Sequence, residues 1–172
     1  MSWQIMDTDV KGRLYAFLSS LFIMEPSKGH VHDLRDIMNI LGFPDLKLCR
    51  IGELTREYYD LFVVPNPRYV RPYESVYRDR IPIDFVGNPE QGLMPRRRYI
   101  RGLLMGRSTM DVLRYYREAG VYPSTDLPDH LGNELAFLSY LLKKAKEVGS
   151  ESDKFLRLYE KFKKDHPLKW IG

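Results

Sequence analysis

The stretch Pro128-Asp129-His130-Leu131-Gly132-Asn133-Glu134-Leu135-Ala136-Phe137-Leu138-Ser139-Tyr140-Leu141-Leu142 decides the fold. Leu131, Leu135, Leu138, Leu141 and Leu142 recur at three- and four-residue spacing, which puts them on one face of an α-helix. Proline is tolerated in the first helical turn, where its missing N–H has no intrahelical partner to lose. Pro128 therefore places the start of this helix near Asp126. No segment sustains the period-two alternation of a half-buried strand, although Ile81–Phe85 has the composition of an extended run.

The same periodicity extends outward in both directions. Val10, Leu14, Phe17, Leu18 and Leu21 form one stripe, and Val31, Leu34, Ile37, Met38 and Leu41 form a second, stopped by Gly42 and Pro44. Leu54, Tyr58, Leu61 and Phe62 form a third, ended by Pro65 and Pro67. Helix resumes at Ser108, where Ser108 and Asp111 have capping-box spacing, and Gly120 supplies a stop. Ser150 and Asp153 repeat that spacing ahead of Phe155, Leu158, Tyr159 and Phe162. Between these helices, residues 63–107 carry Pro65, Pro67, Pro72, Pro82, Pro89 and Pro95 with Gly87, Gly92, Gly102 and Gly106. Proline fixes φ and removes donors, so this is one long irregular loop of the kind that often carries function. The expectation is an all-α bundle of about six or seven helices.

A chain of 172 residues with 44% hydrophobic and 13% aromatic side chains suits one domain with a true core. The one cysteine, Cys49, excludes an internal disulfide and a thiolate zinc site, and reads as a small packing group. The opening MSWQIMDTDVKGR has two aspartates and no long apolar run, so no secretory leader is expected and the location is cytoplasmic. No apolar run approaches the ~20 residues that span a bilayer.

A net charge of +4 raises the possibility of a basic nucleic-acid-binding helical protein. The distribution opposes it: residues 143–172 hold nine Lys/Arg and five acids spread around a helix pattern. Arg96-Arg97-Arg98 sits in the loop. Residues 118–142 are the reverse, with Glu118, Asp126, Asp129 and Glu134 and no Lys or Arg. There is no Gly-rich phosphate loop, no G-x-S-x-G, no H-E-x-x-H and no nucleic-acid module. His30 and His32 are two apart and share no helical face, so no metal site is expected. An Asp129/His130 hydrolase, with Glu74, is the enzymatic alternative. Adjacent helical residues diverge by about 100°, however, which makes a poor dyad. No enzymatic activity, catalytic residue, metal or cofactor is expected.

Several motifs now stand in order: Tyr58 to Phe62 (Y-x-x-L-F), Pro72 to Tyr77 (P-Y-E-S-V-Y), Leu104 to Gly106 (L-M-G), Pro128 to Leu135 (P-D-H-L-G-x-E-L), and Phe162, His166 and Trp170 (F-x-x-x-H-x-x-x-W). Together they resemble the TorD/DmsD family of molybdoenzyme assembly chaperones, the redox-enzyme maturation proteins of the NarJ-like superfamily. The departure is Arg78 to Gly102, which looks like an insertion of about twenty residues. The resemblance implies a single chaperone domain, 1–172. Its N-terminal helical part runs to about 120, a hinge covers about 120–129, and the C-terminal helical part covers about 130–172. It implies a monomer or domain-swapped homodimer. Its partner is the catalytic subunit of a molybdopterin oxidoreductase, with that subunit's twin-arginine signal peptide, held for cofactor insertion.

Such a peptide presents a guanidinium pair and then an apolar run. Its receptor needs carboxylate acceptors beside an apolar groove. Asp129, Glu134, Asp126 and Glu74 are the candidate acceptors. Tyr73, Tyr77, Met105, Leu104 and Phe137 are the candidate walls, with Ser75 and His130 alongside. The competing structural reading gives Asp129 a helix-capping role and Glu74 a tie between loop and helix.

Overall fold

The computed structural model of the protein describes residues 7–42, 50–85, 96–123 and 127–171. Within them run α1 (Thr8–Ile23), α2 (Lys28–Leu41), α3 (Ile51–Tyr58), α4 (Glu74–Arg78), α5 (Arg107–Glu118), α6 (Leu131–Glu147), α7 (Ser152–Asp165) and α8 (Pro167–Trp170). Six of these have eight residues or more, while α4 and α8 are single turns. The architecture is the all-α bundle that the periodicity requires.

α6 is the centre of the core and packs along both α1 and α7. The leucines of its stripe are buried as expected, and Phe137 and Ala145 are buried with them. The apolar arc of α6 is thus wider than the leucine stripe, because α5 covers a further side: Tyr116 meets Phe137 edge-on at 4.5 Å. Tyr15, Val112, Tyr115, Phe155, Leu158, Tyr159 and Phe162 complete the core. Truncating a buried leucine at this centre costs about 2–5 kcal/mol.

Two short hydrogen bonds fix the antiparallel α1–α6 crossing. Ser19 Oγ donates to the Gly132 carbonyl at 2.7 Å, and Ser139 Oγ donates to the Gly12 carbonyl at 2.8 Å. At Gly132 the helices are too close for a side chain: a Cβ there would stand 2.4 Å from Ile23 Cγ1. The glycine of the P-D-H-L-G motif is therefore a packing requirement. α2 and α3 are peripheral. None of their described side chains is fully buried. The turn Tyr59–Val63, a π-helical continuation of α3, rests Phe62 against Phe22 of α1 at 5.3 Å.

Several boundaries differ from expectation. α6 begins at Leu131, not near Asp126, because His130 takes the cap position and its Nδ1 accepts from Gly132 N at 3.1 Å. Pro128 and Asp129 precede the helix. The Ser108/Asp111 capping box does not form. Gly106 is the cap residue of α5, and Ser108 donates its N–H (3.0 Å) and hydroxyl (2.7 Å) to Asp79 Oδ2. Residues 63–107 are not one irregular loop. Besides α4 they contain an antiparallel ladder, β1 (Ile81–Phe85) with β2 (Arg96–Ile100), in which Ile81 faces Ile100 and Phe85 faces Arg96. Cys49 lies outside the described residues.

Gly132→Ala is expected to lower stability by about 1–2 kcal/mol, overpacking against Ile23 outweighing the helix propensity gained. Gly52→Ala in α3 is the control, since nothing stands within 4 Å of its Cβ position, and it should be neutral or mildly stabilising. Urea midpoints of the two variants test the difference.

Candidate functional site

The motifs meet where α4 is laid against the start of α6. Tyr73 and His130 form an antiparallel bridge. Leu131 N donates to the Pro72 carbonyl at 2.8 Å, and Glu74 N donates to the Asp129 carbonyl at 3.0 Å. Asp129 then does for α4 what capping residues normally do for their own helix. Its Oδ2 accepts from Ser75 N, in the first turn of α4, at 2.9 Å. The capping role is real, and the capped helix lies some fifty residues upstream in sequence (|i−j| = 54).

Glu74 is the second buried acid. One of its carboxylate oxygens takes the Arg78 guanidinium and the other sits 2.7 Å from His166 Nδ1. Arg78 Nη1 also reaches the Asp165 carbonyl at 2.9 Å, and Tyr115 OH donates to Asp165 Oδ2 at 2.7 Å. Glu134 is the third buried acid and accepts from Trp170 Nε1 at 3.1 Å. Trp170 stacks on Tyr77 at 5.6 Å with the planes 19° apart. P-Y-E-S-V-Y, P-D-H-L-G-x-E-L and F-x-x-x-H-x-x-x-W are thus three sides of one junction. L-M-G joins it through Asp79. A Cβ on Gly106 would stand 1.9 Å from Asp79 Oδ2, so only glycine lets that carboxylate reach the start of α5.

Burial governs the electrostatics. It pushes the Glu134 carboxyl well above its usual range, against the opposing Trp170 N–H, and the neighbouring Asp129 adds to the rise. It pushes His130 down, against the pull of Asp129. It pushes His166 down to about 4. His166 Nδ1 pairs with Glu74, and its Nε2 stands 3.4 Å from Asp111 Oδ2, which opposes the fall.

The expected site residues fall into three groups. Glu74, Ser75, Asp129 and Glu134 are shut away from solvent. Tyr73 and His130 are half-buried. Tyr77 (48%) and Met105 (72%) are exposed. Asp126 lies outside the described residues. Phe137 belongs to the core. Asp129 and His130 make no dyad, since the carboxylate is turned to α4 and the imidazole to its own helix. Four members of the junction escaped the sequence reading: Arg78, Asp79, Tyr115 and Asp165. Glu74 and Arg78 stand at i, i+4, a spacing that signals a helical ion pair. Among the described residues no cluster could hold a metal ion, and no helix is long and apolar enough to cross a membrane.

The low value of His166 carries a pH consequence. Its folded pKa, about 4, lies below the ~6.5 of an exposed imidazole, so its stabilisation is full above the higher value. That stabilisation is lost as pH falls toward the lower one, while Glu134 titrates with the opposite sign. His166→Gln should therefore lose less stability than the wild type between pH 7 and 4.5, by about 2–3 kcal/mol in urea titrations. Equal losses would show that folding does not shift the His166 pKa.

No curated protein matches this chain. A crystal structure of a candidate redox enzyme maturation protein from Archaeoglobus fulgidus is similar over 95% of this chain and 96% of its own, with 21% identity and a TM-score of 0.51, which speaks for the fold. The family model described as the nitrate reductase delta subunit matches residues 40–172, from before α3 to the end of the chain. That family comprises maturation chaperones for molybdoenzymes. With three quarters of its length under that match and the motif junction inside it, the chain belongs to the nitrate reductase delta subunit family.

Proposed function

We propose that this protein is a cytoplasmic chaperone that binds the catalytic subunit of a molybdopterin oxidoreductase, through the body of the subunit, its twin-arginine signal peptide, or both. It holds that subunit until its cofactor is inserted. Family membership supports the class of client. The observation that carries the reading on this chain is the segment Leu103-Leu104-Met105. All three side chains are exposed, Met105 most of all at 72%. Met105 also has φ 64, the left-handed backbone region that side chains other than Gly, Asn and Asp rarely occupy.

A chain free to relax would put glycine there. Here the following Gly106 is committed to Asp79 and α5, and Arg71 Nη1 holds the Gly102 carbonyl at 2.8 Å, so the tip is pinned at both ends. A pinned, strained, solvent-facing thioether beside two leucines is a poor use of apolar surface in a free monomer. It is a good one for gripping varied apolar sequence. Tyr77 is exposed two residues ahead of Asp79, whose carboxylate holds Ser108 at the start of α5. In this reading Met105 and Tyr77 touch the client. Tyr73, Glu74, Ser75, Asp129, His130 and Glu134 keep the surface in shape.

Met105→Gly separates function from folding. It relieves the left-handed backbone and should leave stability unchanged or raise it by up to about 1 kcal/mol. Paired with Leu104→Ser, it should weaken capture of the catalytic subunit in pull-downs at least tenfold. Capture that stays at the wild-type level would remove this surface from the client contact. Wild-type protein that retains neither subunit nor signal peptide above an unrelated protein would defeat the chaperone reading.

A further inference from the structure

The β1–β2 ribbon takes no part in the junction. Among the described residues its sheet has two strands, and neither packs broadly on a helix. A lone two-stranded ribbon is marginal in water, and its free edges are templates for a further strand. The sequence decides which edge is usable. In an antiparallel pair, facing residues alternate between those that exchange hydrogen bonds and those whose backbone polar groups point outward. Pro82 faces Tyr99 and has no N–H, so that pair is of the outward kind. The bonded pairs are then Ile81 with Ile100, Ile83 with Arg98 and Phe85 with Arg96, while Asp84 with Arg97 is outward. The free side of β1 is blunted by Pro82, which gives it no donor. The free side of β2 is intact: Arg97 and Tyr99 each present an N–H and a C=O.

We propose that the free edge of β2 takes up an extended, acidic segment of the client's catalytic subunit as a third strand. The backbone supplies the pairing, and charge supplies the choice. Residues 91–110 hold Arg96, Arg97, Arg98, Arg101 and Arg107 and no Asp or Glu. An incoming strand rich in carboxylates meets opposite charge, whereas a twin-arginine segment meets its own. A second copy of this chain is opposed for the same reason, since two β2 strands edge to edge set both arginine runs on one patch. Position agrees with the assignment. Tyr99, Ile100 and Arg101 are exposed, and Arg71 Nη1 ties down the Gly102 carbonyl just beyond them. β2 thus leads straight into the apolar tip Leu103–Met105. The inference rests on the chaperone reading and gives the client a second contact, extended and acidic, beside the apolar one.

The test follows backbone amide exchange by NMR in the full chain. The probes are a short capped peptide of alternating Glu and Val and its Lys–Val counterpart. The Glu–Val peptide should slow exchange at Arg97 and Tyr99 and change Arg98 and Ile100 little, because only the first two amides are unpaired beforehand. The Lys–Val peptide should not bind in the same range. Tyr99→Pro removes one outward donor and no ladder bond, and should weaken the Glu–Val peptide about fivefold or more. Tyr99→Thr keeps the donor and should bind as wild type does. Binding of the Glu–Val peptide that leaves the Arg97 and Tyr99 amides exchanging freely would overturn the edge, whatever Tyr99→Pro does to the ribbon. So would slowing of these amides on raising protein concentration alone, which would make the edge a self-contact. A single-stranded oligonucleotide that binds more tightly than the Glu–Val peptide, unaffected by Tyr99→Pro, would overturn it in favour of a phosphate contact. If wild type captures the catalytic subunit and Tyr99→Pro captures it equally, the edge falls alone. If wild type captures neither subunit nor peptide, both readings fall.

Discussion

One buried carboxylate caps a helix to which it does not belong. Asp129 lies just ahead of α6, and its Oδ2 takes the Ser75 N–H of α4. An unpaired N–H inside a protein costs about 1–3 kcal/mol, and an unpaired carboxylate costs more. Neither segment can leave without stranding the other. The Tyr73–His130 bridge and the reciprocal bonds of Pro72, Glu74, Asp129 and Leu131 make that mutual dependence geometric as well as electrostatic. The α4 turn has only five residues and no means of standing alone. It exists because α6 holds its first turn, and it then delivers Glu74 to His166 and Arg78, and Tyr77 to Trp170. Through those contacts the start of α6 sets the position of the chain's C-terminal end.

The bundle was legible because burial by helices leaves a periodic trace. The α6 leucines, the α7 stripe and the proline-ended α3 are each where apolar spacing put them. The missed boundaries have two causes. A capping box is a local pattern, but at Ser108 the acceptor comes from Asp79, twenty-nine residues earlier in the chain. At α6 the cap is His130, which is not among the common N-cap residues. Long-range caps leave no local signature. The stripe of α1 was half legible for a related reason. The spacing found the apolar residues, but Val10, Leu14 and Phe17 line the space between α1 and α2 while Leu18 and Phe22 meet the core.

The site was legible as residues and not as roles. Motif order singled out Glu74, Ser75, Asp129 and Glu134, and the fold does bring them to one place. A carboxylate in a sequence looks the same whether it awaits a guanidinium from outside or has one inside. Arg78 supplies the inside one to Glu74, and Asp165 and Tyr115 extend the network beyond any motif. Leu104, Met105 and Tyr77 remain exposed while the acids are sealed, which is why the proposed client contact is placed on them.

The β1–β2 ladder constrains how the segment 78–102 can change over time. Its register sets Ile81 against Ile100 and Phe85 against Arg96. Side chains on a strand alternate between two faces, so losing one residue within either strand turns every later side chain over. Losing or gaining residues among 86–95 leaves the pairing untouched. Drift in length should therefore collect at that end of the segment. Ile100, which feeds directly into the pinned Leu103–Met105 tip, stays in step with the rest of the molecule.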